Sequence, residues 1–455
     1  MNHGKPGGPV PVADAELAAD LDPNRPTRVR YGVLATACGL AVITYIHRVG
    51  FATASAEFKE PLGLTDTHIS WLMAAFMIGY GLFEMPWGFL ADRFGVRHVL
   101  AAIVLGGSIL TASVSLVTFL PGGIGGIVAF LVVARFLFGV FQAGTFPTFS
   151  RMMTDWMPMT ERGSAQGAIW MASRIGGALA PRIVVPLFAF LGNWRVAWAL
   201  IASIGLAWCA GFWPWFRNRP EQMPGVNEGE RELIEAGRPR AGQGHRHADS
   251  HAGVPWGRML RSRSVWSLWL MYGFLGFSGN FYLTLLPTYL KAHRHLNSDT
   301  ASWLTSLPFA FGVVGCLLGG RISDAVIRRW GKRWGRRAVG AAGLTLAGVS
   351  IAAVPWVEGV VPLSVLLILT FFGNDMAMAP AWAAAADIGE RYSGVLSGAM
   401  NMMGSFMAAI EALIIGGLFQ SHNLVAPFLI LAASYLLGTL CWAGVDARKS
   451  LAETT

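Results

Sequence analysis

The chain has 455 residues, 54% hydrophobic and 13% charged, with a formal net charge of +9 and a mean hydropathy of +0.48. A soluble domain carries about a quarter of its residues as charges, so this composition excludes a protein that coats its own surface against water. The basic residues fall between long apolar blocks and not along one polar face, which argues against nucleic-acid binding and points to a lipid bilayer as solvent.

Residues 1–30 are rich in Gly, Pro, Ala and Asp and lack the apolar core of a signal peptide; a disordered cytoplasmic tail is expected there. About 20 apolar residues are needed per crossing. That window predicts spans 1 to 6 at 31–53, 69–91, 97–119, 125–150, 163–190 and 194–216. Spans 7 to 12 follow at 264–290, 300–320, 338–356, 361–387, 392–419 and 425–446. Gly192-Asn193 and Glu358-Gly359 supply the tight turns between spans 5 and 6 and spans 9 and 10. The predicted fold is all-α and integral to the membrane: twelve transmembrane helices in two six-helix bundles, 31–216 and 264–446, joined by a cytoplasmic linker at 217–263 and followed by a tail at 447–455.

The linker holds a His-rich run, His245, His247 and His251, which can bind metal but reads as a solvated connection. Cys38, Cys209, Cys316 and Cys441 each lie in an apolar block without disulfide or metal-ligand spacing. There is no metal-ligand motif, nucleophile elbow or phosphate loop, so no cofactor and no enzyme activity is indicated. With the N-terminus inside, 27 of the 35 Lys and Arg lie in inside segments, 4 in outside loops and 4 within spans. That asymmetry predicts an inner-membrane protein with both termini cytoplasmic.

Two loops repeat. Between spans 2 and 3 the chain reads Gly88-Phe-Leu-Ala-Asp92-Arg93-Phe-Gly95-Val-Arg97, and between spans 8 and 9 Gly320-Arg-Ile-Ser-Asp324, then Arg328, Arg329 and Gly331. In each, Asp follows Gly by four and Arg follows Asp by five, the copies lying half a chain apart. Two equivalent halves explain the repeat; a Gly lets helices approach closely, and the Asp can pair with Arg or face a helix N-terminus.

Four arginines lie within spans: Arg48, Arg135, Arg174 and Arg182, all in the first half. A charge inside a membrane costs about 2.5–3.5 kcal/mol on insertion scales and therefore faces a partner or a wet cavity. The central acid of that half is Glu84. An excess of guanidinium suits a carboxylate ligand; structural pairing, for instance with Glu84, is the alternative.

The Gly-x-x-x-Asp-Arg-x-Gly-x-Arg loop at 88–97, with its partial copy at 320–329, on twelve spans resembles the signature of the major facilitator superfamily. The resemblance narrows to the anion:cation symporter family of sugar-acid permeases and vesicular glutamate and sialic acid carriers. It is carried by Tyr45-Ile-His47-Arg48, Phe83-Glu84-Met-Pro86, Arg135 through Gln142-Ala-Gly-Thr-Phe-Pro147, Trp170-Met-Ala-Ser173-Arg174, Asn280-Phe-Tyr282, Pro380-Ala-Trp382, Asp387-Ile-Gly389 and Asn401-Met-Met-Gly404.

The resemblance implies that Gly88, Asp92, Arg93, Arg97, Asp324 and Arg329 form a cytoplasmic latch. It implies that Arg48 holds the substrate carboxylate, with Tyr45 and Tyr80 beside it and Ser173, Trp382 and Asn401 as further contacts; Arg135, Arg174, Asn280 and Tyr282 complete the candidate set. For the uncharged members, ordinary packing is the alternative. The sequence departs from the family at two places: the acid before the span 1 arginine is His47, and the acid seven residues after Arg135 is Gln142. His47, Glu84, Asp375 and Glu411 remain as candidate proton carriers. The expected partners are a small organic anion, protons and the lipid bilayer. The expected activity is anion uptake by proton symport with alternating access. The alternatives are an uncoupled facilitator or exchanger, a drug or siderophore exporter, and a membrane sensor.

Overall fold

The computed structural model describes residues 25–119, 121–236, 254–420 and 423–451. The expectations for residues 1–24, for His245, His247 and His251, and for the last four residues lie outside the described residues.

Twelve rods account for nearly all of the described chain. In the first half these are α1 Val29–Lys59, α2 Asp66–Phe94, α3 Val96–Ser113, α4 Gly123–Gln142 continued as Thr145–Trp156, α5 Arg162–Leu191 and α6 Trp194–Trp215. In the second they are α7 Arg263–Thr284, α8 Ser298–Trp330, α9 Lys332–Ala353, α10 Val360–Gly389, α11 Ser393–Gln420 and α12 Ala426–Trp442. By length and composition nine stretches among the described residues are apolar enough to cross a membrane, one of them (Val360–Phe419) spanning both α10 and α11. α12 is apolar but shorter, and α7 is diluted by Trp, Tyr, Ser and Gly.

Polar caps mark several rod starts. The Thr65 hydroxyl accepts from the His68 backbone while His68 accepts from Thr65, and Asn193, Ser262 and Asn297 cap α6, α7 and α8. These side chains satisfy N–H groups that have no partner within the helix. α7 stops at Thr284 and continues through Leu286–Thr288 into a π-helical turn, Tyr289–His293. Pro287, which has no N–H to donate, sits at that break.

The two halves pack alike. α1 lies on α5, α2 on α4 and α3 on α6; shifted by six, α7 lies on α11, α8 on α10 and α9 on α12. The halves meet along α5–α8 and α2–α11. Glycine makes both seams backbone-close. A Cβ on Gly88 would stand 2.1 Å from the Gly394 carbonyl oxygen, and one on Gly320 would stand 2.2 Å from that of Gly163. One turn deeper, Gly398 meets the Glu84 carbonyl and Gly167 that of Cys316.

The predicted spans agree with the rods to within about six residues except at the end of α8. There α8 runs to Trp330 and α9 begins at Lys332, with Gly331 (φ +81) as the only turn residue. The matching turn between α2 and α3 is Gly95 (φ +83), a backbone conformation that favours glycine. Asp92 precedes its turn by three residues and Asp324 by seven, so α8 carries one more helical turn. The linker holds a short helix, Glu228–Glu235, whose buried Glu230 accepts from the Arg30 side chain and the Val29 and Arg30 backbone, tying it to the start of α1.

Candidate functional site

The end of the molecule that bears the start of α1 and the linker, called here the basic end, is closed by a duplicated contact. The Asp92 carboxylate accepts from the backbone N–H of Gly394 (2.9 Å) and Val395 (2.8 Å) at the start of α11. The Asp324 carboxylate accepts from Gly163 (3.0 Å) and Ser164 (2.6 Å) at the start of α5. Each acid therefore meets the partially positive N-terminus of a helix from the other half.

Asp324 has more support. Arg336, fully buried, donates to Asp324 (2.8 Å), to Asp387 (3.0 Å), to Ser323 and to the Met159 carbonyl of the first half. Arg162 joins Asp387 from the opposite side at 2.8 Å. Arg151 donates to the Glu390 carbonyl and Thr154 to Ser393, adding further bonds between halves. Of the other predicted latch residues, Arg93 is exposed over the Phe94 ring, and Arg97 clamps the Trp213 carbonyl at the end of α6. Arg329 is not the spatial equivalent of Arg97: it lies exposed over Trp330. The extra turn of α8 moves the position two residues past the turn glycine to Arg333, and it is Arg337, one turn further along α9, that donates to the Val445 carbonyl beyond the end of α12. Arg336, Arg162 and Asp387 carry the network, which the Asp-to-Arg spacing did not reveal.

Above the latch lies an aromatic layer drawn from both halves. Phe146 stacks on Trp170 (4.3 Å between centroids), both pack against Trp382, and Trp382 donates its indole N–H to the Tyr272 hydroxyl (3.0 Å). Trp382 is fully buried in this layer. Ser173 is buried beside it and donates to the Trp170 carbonyl within its own helix.

The next layer is polar and crosses the seams. Arg174 on α5 forms a bidentate pair with Asp375 on α10 at 2.9 and 2.8 Å, and Asn374 donates to the same carboxylate. Glu84 on α2, fully buried, accepts from Asn401 and Ser405 on α11, and Asn401 also donates to the Tyr80 hydroxyl. Nearer the far end, Asn280 donates to Glu411 at 2.7 Å, linking α7 to α11, while the second carboxylate oxygen is buried without a partner among the described residues. Tyr282 is buried and donates to the Leu367 carbonyl. Arg182 is exposed on α5.

Arg48 and Arg135 differ from Arg174. The Arg48 guanidinium, half-buried, lies over the rings of Tyr80 (4.6 Å), Phe76 (5.1 Å) and Tyr45 (5.8 Å), and its one polar contact among the described residues is the Met77 sulfur at 3.9 Å. Arg135, 4% exposed, lies over Phe51 (4.0 Å), Phe76 (4.8 Å) and Phe138 (4.9 Å), with its Nε buried and unpartnered. Neither has a carboxylate within ion-pair distance among the described residues. His47 turns away from Arg48: its Nε2 donates to the Ile201 carbonyl of α6 at 2.9 Å. With Thr44, Ser108, Gln142 and Thr145 it lines a small cavity between α1, α3 and α4, in which Ser108 Oγ, Gln142 Oε1 and Thr145 Oγ1 lack partners among the described residues. The two departures from the family pattern thus share one pocket inside the first half.

Residues 37–411 match the family model of the Major Facilitator Superfamily. The chain belongs to the major facilitator superfamily. Its curated relatives are transporters of the sugar-acid and organic-anion group. It is 33% identical over 91% of its length, and 93% of the relative's, to a probable sulfoacetate transporter of Cupriavidus necator. It is 26% identical to a D-galactonate transporter of Escherichia coli, covering 92% of this chain and 96% of that one. Among solved structures, a proton:xylose symporter aligns with a TM-score of 0.72 at 16% identity (93% of this chain, 97% of that one), and the human organic anion transporter MFSD10 with 0.69 at 15% (91% and 100%). At those identities the solved structures speak for the fold. The protein is thus a membrane transporter and not an enzyme.

Proposed function

We propose that the protein takes up a small organic anion, a sugar acid or a short carboxylate or sulfonate, across the inner membrane by alternating access, with Arg48 as the primary anion ligand. The observation that carries this reading is a half-buried guanidinium held by three aromatic rings, with no carboxylate within ion-pair distance among the described residues. A cation desolvated without a counter-ion is costly, and an incoming carboxylate relieves that cost with two parallel hydrogen bonds. The closed basic end is the cytoplasmic one in this reading, so the conformation is outward-facing. Opening it breaks the Asp92 and Asp324 contacts while the halves rock about the central site.

Proton symport is the form of coupling proposed. Glu84 supports it: a fully buried carboxylate with no cation within ion-pair distance among the described residues, bonded across the seam to Asn401 and Ser405 and one turn from Tyr80, on which Arg48 rests. Protonation there weakens its bonds to α11 and so couples proton binding to movement of the halves. Glu411, bonded to Asn280 between α7 and α11, is the second carboxylate of this kind. Uncoupled exchange is the competing reading, favoured by the burial of His47 against α6 and by the pairing of Asp375 with Arg174.

The test is uptake of radiolabelled sulfoacetate, galactonate and glucarate into proteoliposomes with and without an inward proton gradient. Saturable uptake that exceeds equilibrium only with the gradient, and loses that dependence in Glu84→Gln or Glu411→Gln, is expected. Equal, gradient-independent equilibration in wild type favours the exchanger, and no uptake of any organic anion defeats the assignment.

A further inference from the structure

Three of the in-span arginines sit in one region of the first half, and their pairing divides them. Arg174 is neutralised by Asp375 with two short bonds. Glu84, the acid of α2, turns its oxygens to Asn401 and Ser405 on α11 and forms no ion pair among the described residues. Two guanidinium groups are left over, Arg48 and Arg135. Both lie within about 5 Å of the centre of the Phe76 ring, so their charges are at most about 10 Å apart. Two like charges at that separation in a poorly solvated region repel each other. The fold nevertheless holds both in place by ring faces from α1, α2 and α4.

Ring faces attract cations, but such contacts contribute about 0.5–2 kcal/mol each, less than the several kcal/mol that burying a guanidinium without a counter-charge entails. The uncompensated remainder is a binding site for negative charge, and with Glu84, which lies within electrostatic reach of Arg48, in its protonated form its size is two charges. Gln142 is on the same helix as Arg135, two turns on, yet it brings no charge and faces the His47 cavity. No side-chain acid on α4 lies between the start of the helix and Gln142, so nothing on that segment competes for Arg135.

We infer that the substrate is a short dianion, with one anionic group on Arg48 and the second on Arg135, the two bridging across the edge of Phe76. The class is a small carboxylate carrying a second permanent negative group, whether sulfonate or carboxylate; a monoanionic sugar acid fills one of the two positions and leaves the other cation unmatched. This rests on the reading of Arg48 as an anion ligand and gives Arg135, already among the candidate contacts, the role of setting the charge of the substrate.

Binding to the purified full-length protein in detergent, measured by isothermal calorimetry at constant ionic strength, tests it. The probes are two dianions, sulfoacetate and succinate, and three monoanions, acetate, methanesulfonate and galactonate. The expected result is at least about tenfold tighter binding of one or both dianions than of any monoanion, as a second charge-assisted contact supplies. Sulfoacetate alone identifies the second group as sulfonate, and succinate alone as carboxylate. Arg135→Gln should reduce dianion affinity far more than monoanion affinity, and Arg135→Lys should keep part of the dianion preference, which a loss of folding would not. Galactonate binding as tightly as either dianion in wild type, or Arg135→Gln lowering all affinities by one common factor, overturns the inference while leaving Arg48 as an anion ligand. Failure of every anion to bind overturns the proposed function along with it.

Discussion

Arg174 and Arg48 are the same residue type, both in the first half and both within the rods, yet they are built into opposite circumstances. Arg174 is held by a bidentate carboxylate from the other half. Arg48 is held by rings and by a weak sulfur contact. The first pair is complete without any ligand, and it ties α5 to α10. The second arginine has no carboxylate within ion-pair distance among the described residues, which is what the proposed anion would supply. The difference teaches that an intramembrane charge identifies a strut or a site only through its partner.

The sharpest way to break this comparison is to remove one member of the completed pair. Arg174→Ala or Asp375→Ala leaves a buried, uncompensated charge and should destabilise by about 3–5 kcal/mol, read as a fall in melting temperature in detergent. The double variant Arg174→Gln with Asp375→Asn should recover most of that loss. Single variants that melt with wild type would deny the pair its role as a strut.

The seams offer a second, somewhat smaller effect. In Gly320→Ala the new methyl meets the Gly163 carbonyl at 2.2 Å, a backbone atom that cannot swing aside. Overpacking of this kind destabilises the closed basic end by about 1–3 kcal/mol. A cysteine placed at Ser393, buried in wild type, should then label faster with a membrane-impermeant maleimide in a background lacking the four native cysteines. Unchanged labelling would mean that the seam is not close-packed.

A third comparison lies between the two latches. Asp324→Asn removes a carboxylate from Arg336 as well as from the start of α5, whereas Asp92→Asn loses bonds to backbone N–H groups alone. Charged hydrogen bonds contribute about 1.5–3 kcal/mol, so Asp324→Asn should lower turnover and melting temperature more than Asp92→Asn. In both, transport rate should fall more than substrate affinity. An affinity loss with turnover intact would place these acids at the substrate instead.

The smallest stability effect belongs to the residue with the largest functional one. Arg48→Lys breaks no ion pair, and its melting temperature without substrate should correspond to a change within about 0.5 kcal/mol of wild type. Its uptake should fall at least about tenfold, because an ammonium lacks the planar fork. Near-normal uptake would remove Arg48 from the site.

The rods were legible because apolar length is a one-dimensional property: spans at 69–91 and 361–387 became Asp66–Phe94 and Val360–Gly389. The repeat located both latch acids for the same reason. What escaped was set by pairing across the chain. Nothing local to Asp375 announces an arginine 201 positions away, and the sequence offered it as a free proton carrier. Arg336 was hidden because the first copy of the loop has no arginine to match it: five residues past the turn glycine the first half carries Leu100. The direction of His47 was also unreadable. Adjacent helix residues point about 100° apart, which lets Arg48 and His47 border one cavity, but His47 meets the Ile201 carbonyl instead.

The glycine seams at the basic end have an electrical consequence. Where Gly88 meets Gly394 and Gly320 meets Gly163, main chain rests on main chain with no side chain between them. Along these two contacts no file of water molecules threads between the halves, so neither a stray proton nor a small ion passes there. In the proposed cycle the closed end would act as an insulator, with an anion on Arg48 held on one side of a septum of backbone and tryptophan.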